Sequence, residues 1–447
     1  MRCANAPILN ANGPIVAHKA PTFSSDKLLS SLQTLHAAEA YALAVSGGRD
    51  SMGLLALARK AAKLPNAPQF SVLTVDHGLR PEAVAEARKV AEICAELGLP
   101  HHILTADEKL GGTDIQQQAR HMRYRLMAGF CRAHNAPLVT AHHLFDQAET
   151  VAMRLARGSG VDGLAGMAKK QWLDTATGRL LVLRPLLEAC PDAIHGDLPF
   201  TDDPSNDDTR FERVRWRKHM PVMCEAGLTP HALAALARDM RTLREGRRAF
   251  LRDWLATHGA WHDYGVLALP RAAFLDLPQE TRDSLLSACV RHLGRHAFPP
   301  RRHAVSAFSR QIGDATSGAA VLGGVLMRWR KATIFLGREY AALAPSGTPI
   351  CATMFTNGFW DGRFEMIHSL GGHFVAPLGE KGVASLRDKG MTFETSVPAA
   401  YHAVLPALFS ANDANCSAPL GLATEKYLRC VSSEKLFDAL LEQGQDW

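Results

Sequence analysis

One short stretch, residues 43–52, constrains the fold more than any other part of the chain. It begins in an apolar run of strand length, 41–45, and leads into a Leu- and Ala-rich segment, 53–63, that is typical of a helix. A loop containing Gly47 and Gly48 joins them. Glycines allow close approach to the backbone, and amide N–H groups converge there at the positive end of the helix dipole. The loop therefore predicts a phosphate site, with an ordinary strand–turn–helix connection as the alternative.

Hydroxyl and carboxyl groups edge this loop. Ser46 and Ser51 can donate hydrogen bonds to a phosphate, and Ser51 is placed to cap the helix that follows. Asp50 can bring a divalent cation to the same phosphates. Two other phosphate motifs, Gly-x-x-x-x-Gly-Lys-Ser/Thr and the Rossmann Gly-x-Gly-x-x-Gly, are absent after this strand.

The loop sequence resembles the PP-loop, Ser-Gly-Gly-x-Asp-Ser, of the ATP pyrophosphatase superfamily. The resemblance implies that the chain cleaves ATP between the α- and β-phosphates and transfers AMP to a carbonyl-type oxygen, from which a nucleophile then displaces it. It also implies Mg²⁺ at Asp50. The expected ATP-binding residues are Ser46, Gly47, Gly48, Arg49, Asp50, Ser51 and Asp76.

Length and composition bound the remaining possibilities. A chain of 447 residues is too long for one ordinary core, so two or three domains are expected. The net charge of +6 is compatible with an RNA partner. The nine cysteines include no Cys-x-x-Cys pair, which argues against a zinc ribbon or iron–sulfur cluster and favours a reducing, cytoplasmic location. No apolar run is long enough to span a membrane, and no signal peptide is evident.

Strand and helix patterns alternate after the loop. This rhythm predicts an α/β fold, a parallel, doubly wound, Rossmann-like sheet with ligands at the carboxyl ends of its strands. The predicted strands are 70–76, 102–105 and 137–141, and the predicted helices are 81–97, 114–135 and 144–157. Asp76 and His77 end one strand, where each can serve a nucleotide or cap a turn.

Two later helices carry candidate functional side chains. Arg120 and Arg123 share one face, where arginines are usually solvated. His142, Asp146 and Glu149 are spaced four and three apart, which predicts one stripe on the helix. Such a stripe can hold Mg²⁺ or an ammonium group. The alternatives are a solvated acidic face, or His142 as a helix cap.

Basic residues are dense in two further segments. An acidic stretch at 202–207 leads into Arg210, Arg213, Arg215, Arg217 and Lys218, which is either a plain helix start or a nucleic-acid backbone site. A helix predicted at 229–258 has an apolar stripe and a basic one, and the basic stripe is either solvated or in contact with phosphates. The apolar stripe comprises Met240, Leu243, Phe250, Leu251, Trp254 and Leu255. The basic stripe comprises Arg241, Arg244, Arg248 and Arg252.

The pattern predicts three domains after a loose tail. The tail covers 1–24, the PP-loop catalytic domain 25–220, a mainly helical domain 221–343, and a small α+β or mostly β domain 344–447. Within the helical domain, a helix is predicted at 279–293 and a hairpin at 319–336.

Several motifs together resemble the tRNA(Ile)-lysidine synthetase family over residues 40–220. After the PP-loop come Val-Asp-His-Gly-Leu-Arg at 75–80, Ala-Arg-x-x-Arg-Tyr at 119–124, the stretch 142–163, Arg-Pro-Leu-Leu at 184–187 and Asp-Pro-Ser-Asn at 203–206. Three features depart from the family. Phe145 stands where an Asp is common, Val214 stands where an Asn is expected, and the segment 187–202 is short.

The resemblance implies a reaction and a set of roles. ATP would adenylate O2 of the wobble cytidine of tRNA(Ile) with a CAU anticodon, and L-lysine would then attack C2 and expel AMP. The implied catalytic residues are Asp50, Arg120, His142 and Asp146, and Asp146 and Glu149 would bind lysine. The implied tRNA contacts are Arg123, Arg213, Arg217, Arg241, Arg244 and Arg248, and the domains at 221–343 and 344–447 would both bind tRNA.

The expected partners are tRNA, lysine and ATP, without a membrane, for a monomer or homodimer. Two alternatives remain. One is a thiolase-type PP-loop enzyme, although such enzymes generally need a persulfide cysteine or a Cys-x-x-Cys pair. The other is an inactive RNA-binding relative, against which the intact Asp50, Asp146 and Glu149 argue.

Overall fold

The structure is a computed structural model of the chain. It describes residues 22–76, 81–106, 115–175, 178–201, 208–296, 299–343, 355–356, 359–370, 372–410 and 419–441. Most of the predicted tail, His77 and the motif at 203–206 therefore lie outside the described residues.

The N-terminal part contains a six-stranded sheet. Its strands are β1 (Ala40–Ala44), β2 (Gln69–Asp76), β3 (His101–Thr105), β4 (Leu138–Val139), β5 (Lys170–Thr175) and β6 (Gly178–Leu183). The strand order is β3-β2-β1-β4-β6-β5, and all neighbours are parallel except the edge strand β5. The predicted parallel sheet is confirmed, although β4 is shorter than the strand expected at 137–141.

Within the described ranges, nine helices accompany this sheet. They are α1 (Ser25–His36), α2 (Arg49–Ala61), α3 (Pro81–Leu97), α4 (Ile115–Ala133), α5 (Leu144–Ala156), α6 (Val161–Leu164), α7 (Pro191–Ile194), α8 (Glu212–Glu225) and α9 (Pro230–His258). Among them, α1, α2 and α4 pack on its two faces. Leu43 and Val72 pack with the α1–α2 side, whereas Ala42 and Leu73 face α4. This alternation along each strand gives the doubly wound arrangement that the sequence predicts.

The chain continues through a second, antiparallel sheet with three helices. The elements are β7 (Ala260–His262), β8 (Val266–Pro270), α10 (Arg271–Asp276), α11 (Gln279–Leu293), α12 (Arg302–Asp314), β9 (Gly318–Leu322), β10 (Val325–Trp329) and β11 (Thr333–Arg338). The strand order is β7-β8-β11-β10-β9. The helix at 279–293 and the hairpin turning at Gly323 and Gly324 are confirmed. The five-stranded sheet was not expected in a segment predicted to be mainly helical.

The last described segments form two small sheets with short helices. The elements are α13 (Tyr340–Leu343), β12 (Phe355–Thr356), β13 (Phe359–Trp360), β14 (Phe364–Met366), β15 (His373–Pro377), α14 (Gly379–Asp388), β16 (Pro406–Ser410), β17 (Gly421–Leu422), β18 (Leu428–Cys430) and α15 (Ser433–Leu441). The sheets run β12-β13-β14-β18 and β15-β16-β17. This part matches the expected α+β character.

Contacts divide the described chain into two compact units, one ending at Arg244 and one beginning at Glu245. The boundaries expected at 220 and 343 stay predictions. Among the described residues, no helix combines the length and the apolar character needed to cross a bilayer.

Candidate active site

The glycine-rich loop lies between β1 and α2. Helix α2 begins at Arg49, and Gly48 is its N-cap with no side-chain capping bond. The prediction that Ser51 caps this helix is therefore wrong. Because the Gly-Gly turn lets the helix begin early, Ser51 lies in its first turn. Its hydroxyl donates to the carbonyl of Gly48 at 2.8 Å and accepts from the backbone N–H of Ser46 at 3.2 Å. The loop is thus braced from inside.

Gly47 takes a conformation that favours glycine. Its φ is +84°, in the left-handed region, and a Cβ there would lie 3.4 Å from a methyl carbon of Val90. Its carbonyl accepts the N–H of Thr201 at 3.0 Å. The guanidinium of Arg49 lies 5.1 Å from the ring centroid of Phe200. Phe200 and Thr201 therefore contact the loop through a ring–guanidinium contact and a backbone hydrogen bond.

The carboxylate of Asp50 meets two histidines. Its Oδ1 lies 2.9 Å from Nε2 of His195, and its Oδ2 lies 3.4 Å from Nε2 of His143. Burial alone would raise the pKa of Asp50, but the hydrogen bonds and charge of these imidazoles hold the pKa below its usual value. Asp50 is therefore an ionised group with a side chain 45% exposed.

Asp50 fits a role as the protein ligand of Mg²⁺. This ion usually takes one or two carboxylates and completes its shell with water and substrate phosphates. The two imidazoles can occupy only part of the acceptor capacity of an exposed carboxylate. Across the described ranges, no group of three or more His, Cys, Asp or Glu side chains forms a ready metal cage. Nucleotide phosphates would therefore supply the other ligands.

The predicted stripe of His142, Asp146 and Glu149 on one helix is wrong in its first member. Helix α5 begins at Leu144, so His142 lies before it, with Nδ1 2.8 Å from the hydroxyl of Thr140. The N-cap is His143 instead, and a reciprocal capping box moves the helix start past His142.

His143 and Asp146 form this capping box. The N–H of His143 donates to Oδ2 of Asp146 at 2.9 Å, and its ring Nδ1 accepts from the N–H groups of Phe145 and Asp146. The ring therefore reaches Asp50 with Nε2 and the start of α5 with Nδ1. His143 thus joins the PP-loop to the acidic end of α5.

The pKa values of His142 and His143, which are adjacent in the sequence, are shifted in opposite directions. Burial, aided by the charge of Arg184, lowers the pKa of His142 to about 3. His142 is therefore uncharged near neutral pH. Burial also opposes the charged form of His143, but Asp146 and Asp50 outweigh it and raise its pKa.

Two arginines of α8 hold the carboxylates of α5. Nη2 of Arg213 lies 2.6 Å from Oδ1 of Asp146, and its Nε lies 2.7 Å from Oε2 of Glu149. Nε of Arg217 lies 2.8 Å from Oε1 of Glu149. Glu149 is only 1% exposed. The residues predicted to bind lysine and two of those predicted to bind tRNA are thus paired with one another.

The same pairing affects Asp146. Burial alone would raise its pKa, but the charges of His143 and Arg213 hold it far below its usual value.

The two departures from the family lie nearby. Phe145 packs on the apolar cluster of α5, α8 and α9, and Val214 is buried on α8. Phe145 and Val214 are thus apolar at positions where the sequence resemblance predicts polar side chains.

The basic stripe predicted on α9 is not one exposed surface. Arg241 donates to the carbonyls of Ala165 and Met167 at 3.1 and 2.7 Å, and Arg244 is 1% exposed. The apolar stripe is also partly wrong, because Leu243 and Phe250 are about half exposed. Arg244 is buried and Arg241 donates to the loop that follows α6, so neither presents a freely exposed guanidinium, and their contacts with tRNA stay predictions.

The remaining candidates lie at the predicted end of the sheet or on α4. Asp76 is buried at the carboxyl end of β2, beside β1 and its loop. The guanidinium of Arg120 lies 5.4 Å from the ring of Tyr124 one turn later, as the spacing predicts. Arg123 lies on the same helix.

Sequence reasoning missed two residues that contact Asp50. His143 carried half of a signal, because an acid three positions after the N-cap fits a capping box, but His is not one of the usual N-cap residues. His195 carried none. It is the residue that follows α7, and only the tertiary fold brings it to the loop.

Known proteins place this site in a family. A family model described as the PP-loop domain matches residues 22–223. The tRNA(Ile)-lysidine synthase of Ruegeria pomeroyi is 33% identical over 89% of this chain and 93% of that protein. The synthases of Rhodopseudomonas palustris and Methylobacterium nodulans are 40% and 38% identical, over 63% and 68% of this chain and 82% and 91% of theirs. The chain belongs to the tRNA(Ile)-lysidine synthase family.

Proposed function

We propose that this protein joins L-lysine to C2 of cytidine 34 in tRNA(Ile) with a CAU anticodon. ATP is the activating substrate, and AMP and pyrophosphate are released. The observation that carries the proposal is the chain of contacts from Asp50 through His143 to Asp146. It joins a nucleotide-phosphate loop to a cluster of carboxylates able to bind a cationic amine. The relatives named above carry the same activity in their names.

The first step is adenylation. O2 of the cytosine attacks the α-phosphorus of ATP, an O–P bond forms, and the bond to the leaving pyrophosphate breaks. The N–H groups of the loop and the hydroxyl of Ser46 are proposed to bind the phosphates, while Ser51, whose single O–H donates to the carbonyl of Gly48, supports the loop. Asp50 would hold Mg²⁺, which when bound offsets the negative charge of pyrophosphate. Arg120 is proposed to stabilise charge that develops at O2.

The second step is displacement by lysine. The ε-ammonium group first loses a proton to water, the free ε-amine then attacks C2, a C–N bond forms, and the C–O bond to the leaving AMP breaks. Asp146 and Glu149 are proposed to attract the ammonium groups of lysine. Because Arg213 and Arg217 already neutralise them, lysine shares these carboxylates with the two arginines. His142 is uncharged, and in the tautomer whose Nδ1–H donates to Thr140 its Nε2 can accept a hydrogen bond from the incoming amine.

Arginine side chains are proposed to hold the tRNA backbone. The proposed contacts are Arg123, Arg213, Arg217 and Arg248. Arg241, which donates to two backbone carbonyls, and the buried Arg244 are left out. Arginine binds phosphate with two parallel hydrogen bonds and releases counterions when it does. Binding to the tRNA should therefore weaken steeply with salt.

Pyrophosphate release tests the proposal. The enzyme is mixed with ATP, lysine and an unmodified tRNA(Ile) transcript with a CAU anticodon, and the same transcript with U at position 34 serves as control. Release with the first transcript and not with the second is expected. An inactive RNA-binding relative would bind the transcript and release nothing.

The thiolase alternative predicts that pyrophosphate release depends on a different co-substrate. Release that requires a sulfur donor and does not depend on lysine would show thiolation instead of the proposed reaction. The sequence has no Cys-x-x-Cys pair to carry such sulfur.

A further inference from the structure

The segment after α7 lies tightly against the helix that follows the PP-loop. A Cβ atom on Gly53 would lie 2.8 Å from the carbonyl oxygen of Ile194. A Cβ atom on Gly196 would lie 2.8 Å from Cβ of Ala56. Such close approach leaves the segment little freedom to shift along α2. Its backbone is therefore a fixed support beside the loop.

The same segment presents His195 to the loop. The backbone N–H of His195 donates to the carbonyl of Pro191 at 3.1 Å, which fixes the residue at the end of α7. Its Nε2 lies 2.9 Å from Oδ1 of Asp50, with a side chain 17% exposed. Because Asp50 is ionised and can only accept, Nε2 of His195 must carry the proton. This contact is shorter than the 3.4 Å contact of His143 with the other oxygen.

We propose that His195 is a positioning residue for the reaction, which fixes the carboxylate of Asp50 so that its outer lone pairs face a magnesium–nucleotide complex at the PP-loop. The inference rests on the proposed binding of ATP and Mg²⁺ at this loop. An exposed aspartate without such a donor samples several rotamers, and ordering it on binding costs free energy. Groups that orient metal ligands in this way typically change metal affinity by tenfold or more when they are lost.

His195 is the better test of this idea than His143. His143 also caps α5 and contacts Asp146, so its removal changes two sites at once. Within the described part of the chain, the polar side-chain contact of His195 with the proposed reaction machinery is the one with Asp50. His195→Phe keeps an aromatic ring of similar size and removes the donor. His195→Gln restores an N–H donor on a longer, flexible side chain.

The test measures Mn²⁺ binding by electron paramagnetic resonance, with α,β-methylene ATP and no turnover. His195→Phe should weaken Mn²⁺ binding to the enzyme–nucleotide complex roughly tenfold. His195→Gln should recover a large part of that loss. Both variants should keep the helical circular dichroism of the wild type, because the tight packing of the segment on α2 does not involve the ring nitrogens.

The outcomes separate the claims. Wild-type Mn²⁺ affinity in a folded His195→Phe would overturn the proposal and leave His195 as a packing residue. If His195→Phe fails to fold, His195→Gln decides: near-wild-type affinity supports the donor role, and a loss equal to that of His195→Ala overturns it. Failure of the wild type to bind the Mn²⁺–nucleotide complex would instead contradict the proposed function at the loop.

Discussion

Nε of Arg213 lies 2.7 Å from Oε2 of Glu149, so a residue expected to contact tRNA holds a carboxylate expected to bind lysine. Arg217 takes the other oxygen of the same carboxylate. The charge of Glu149 is therefore compensated from within the protein, on a helix whose carboxylates border the ATP loop. Binding of lysine and binding of tRNA are then expected to influence one another through these pairs.

Glu149→Gln should raise the KM for lysine more than the KM for ATP. The amide keeps the shape but removes the negative charge that attracts an ammonium group, whereas the phosphate loop is untouched. Initial-rate kinetics with each substrate varied in turn measure this. Glu188→Gln is a matched control, because Glu188 pairs with Lys169 at the surface. A change in the ATP requirement alone would reassign Glu149 to the nucleotide.

Arg217→Ala should lower both tRNA affinity and stability. The variant removes a proposed phosphate contact and breaks a charged hydrogen bond to a buried carboxylate. Because Arg217 is partly exposed, a loss of only about 1–2 kcal/mol in the free energy of unfolding is expected. Urea denaturation and filter binding report the two effects. Arg215→Ala on the same helix removes equal charge and breaks bonds to the carbonyls of Thr209 and Arg210 without touching Glu149. Unchanged stability of Arg217→Ala would contradict the assignment.

Salt dependence should identify the phosphate contacts. Each lost contact should reduce the slope of log affinity against log salt by about 0.7–0.9. Single alanine variants of Arg123 and Arg248 should each show this, while Arg244→Ala should destabilise the fold because its side chain is buried. Filter binding of tRNA across a salt series measures the slope. If the slopes of log affinity against log salt are unchanged, Arg123 and Arg248 do not contact tRNA phosphates.

Stability should fall in acid partly because of His142. Its folded pKa of about 3 lies below the unfolded value near 6.5, so the unfolded chain binds a proton that the folded chain does not. The stabilising effect is complete above pH 6.5 and is lost as the pH falls toward 3. Between pH 7.5 and 5, the wild type should lose about 1–2 kcal/mol more than His142→Gln.

Urea titrations at the two pH values check this difference. His219→Gln, a change at an exposed histidine of α8, should show the wild-type loss. If the wild type, His142→Gln and His219→Gln lose the same free energy of unfolding between pH 7.5 and 5, the pKa of His142 is not lowered in the folded protein.

Local signals in the sequence predicted where helices and strands lie, but they did not predict which elements pack against them. Helix α3 begins at Pro81 and ends before Gly98, whose φ is +68°, so both ends were readable. Arg244 and Phe250 show the limit. Helical periodicity separates two faces, but which face another element covers depends on contacts distant in sequence. The contact of His195 with Asp50 could not be predicted for the same reason, because it depends on where α7 lies in the fold.

Asp50→Asn should abolish AMP transfer with little change in fold. The substitution keeps the size of a half-exposed side chain and removes the charge that would hold Mg²⁺. A rate loss on the order of 10²-fold or more is expected. Pyrophosphate release measures the rate, and circular dichroism checks the fold. Near-wild-type activity would exclude Asp50 as the metal ligand.

Transfer of labelled lysine to tRNA tests the central claim most directly. The protein is incubated with ATP, radioactive L-lysine and tRNA(Ile) transcripts that carry either C or U at position 34, and the nucleosides are then separated. The account predicts label in one modified nucleoside, only in the C34 transcript and only with ATP. Label that is absent from the C34 transcript, or equal in both transcripts, would contradict it.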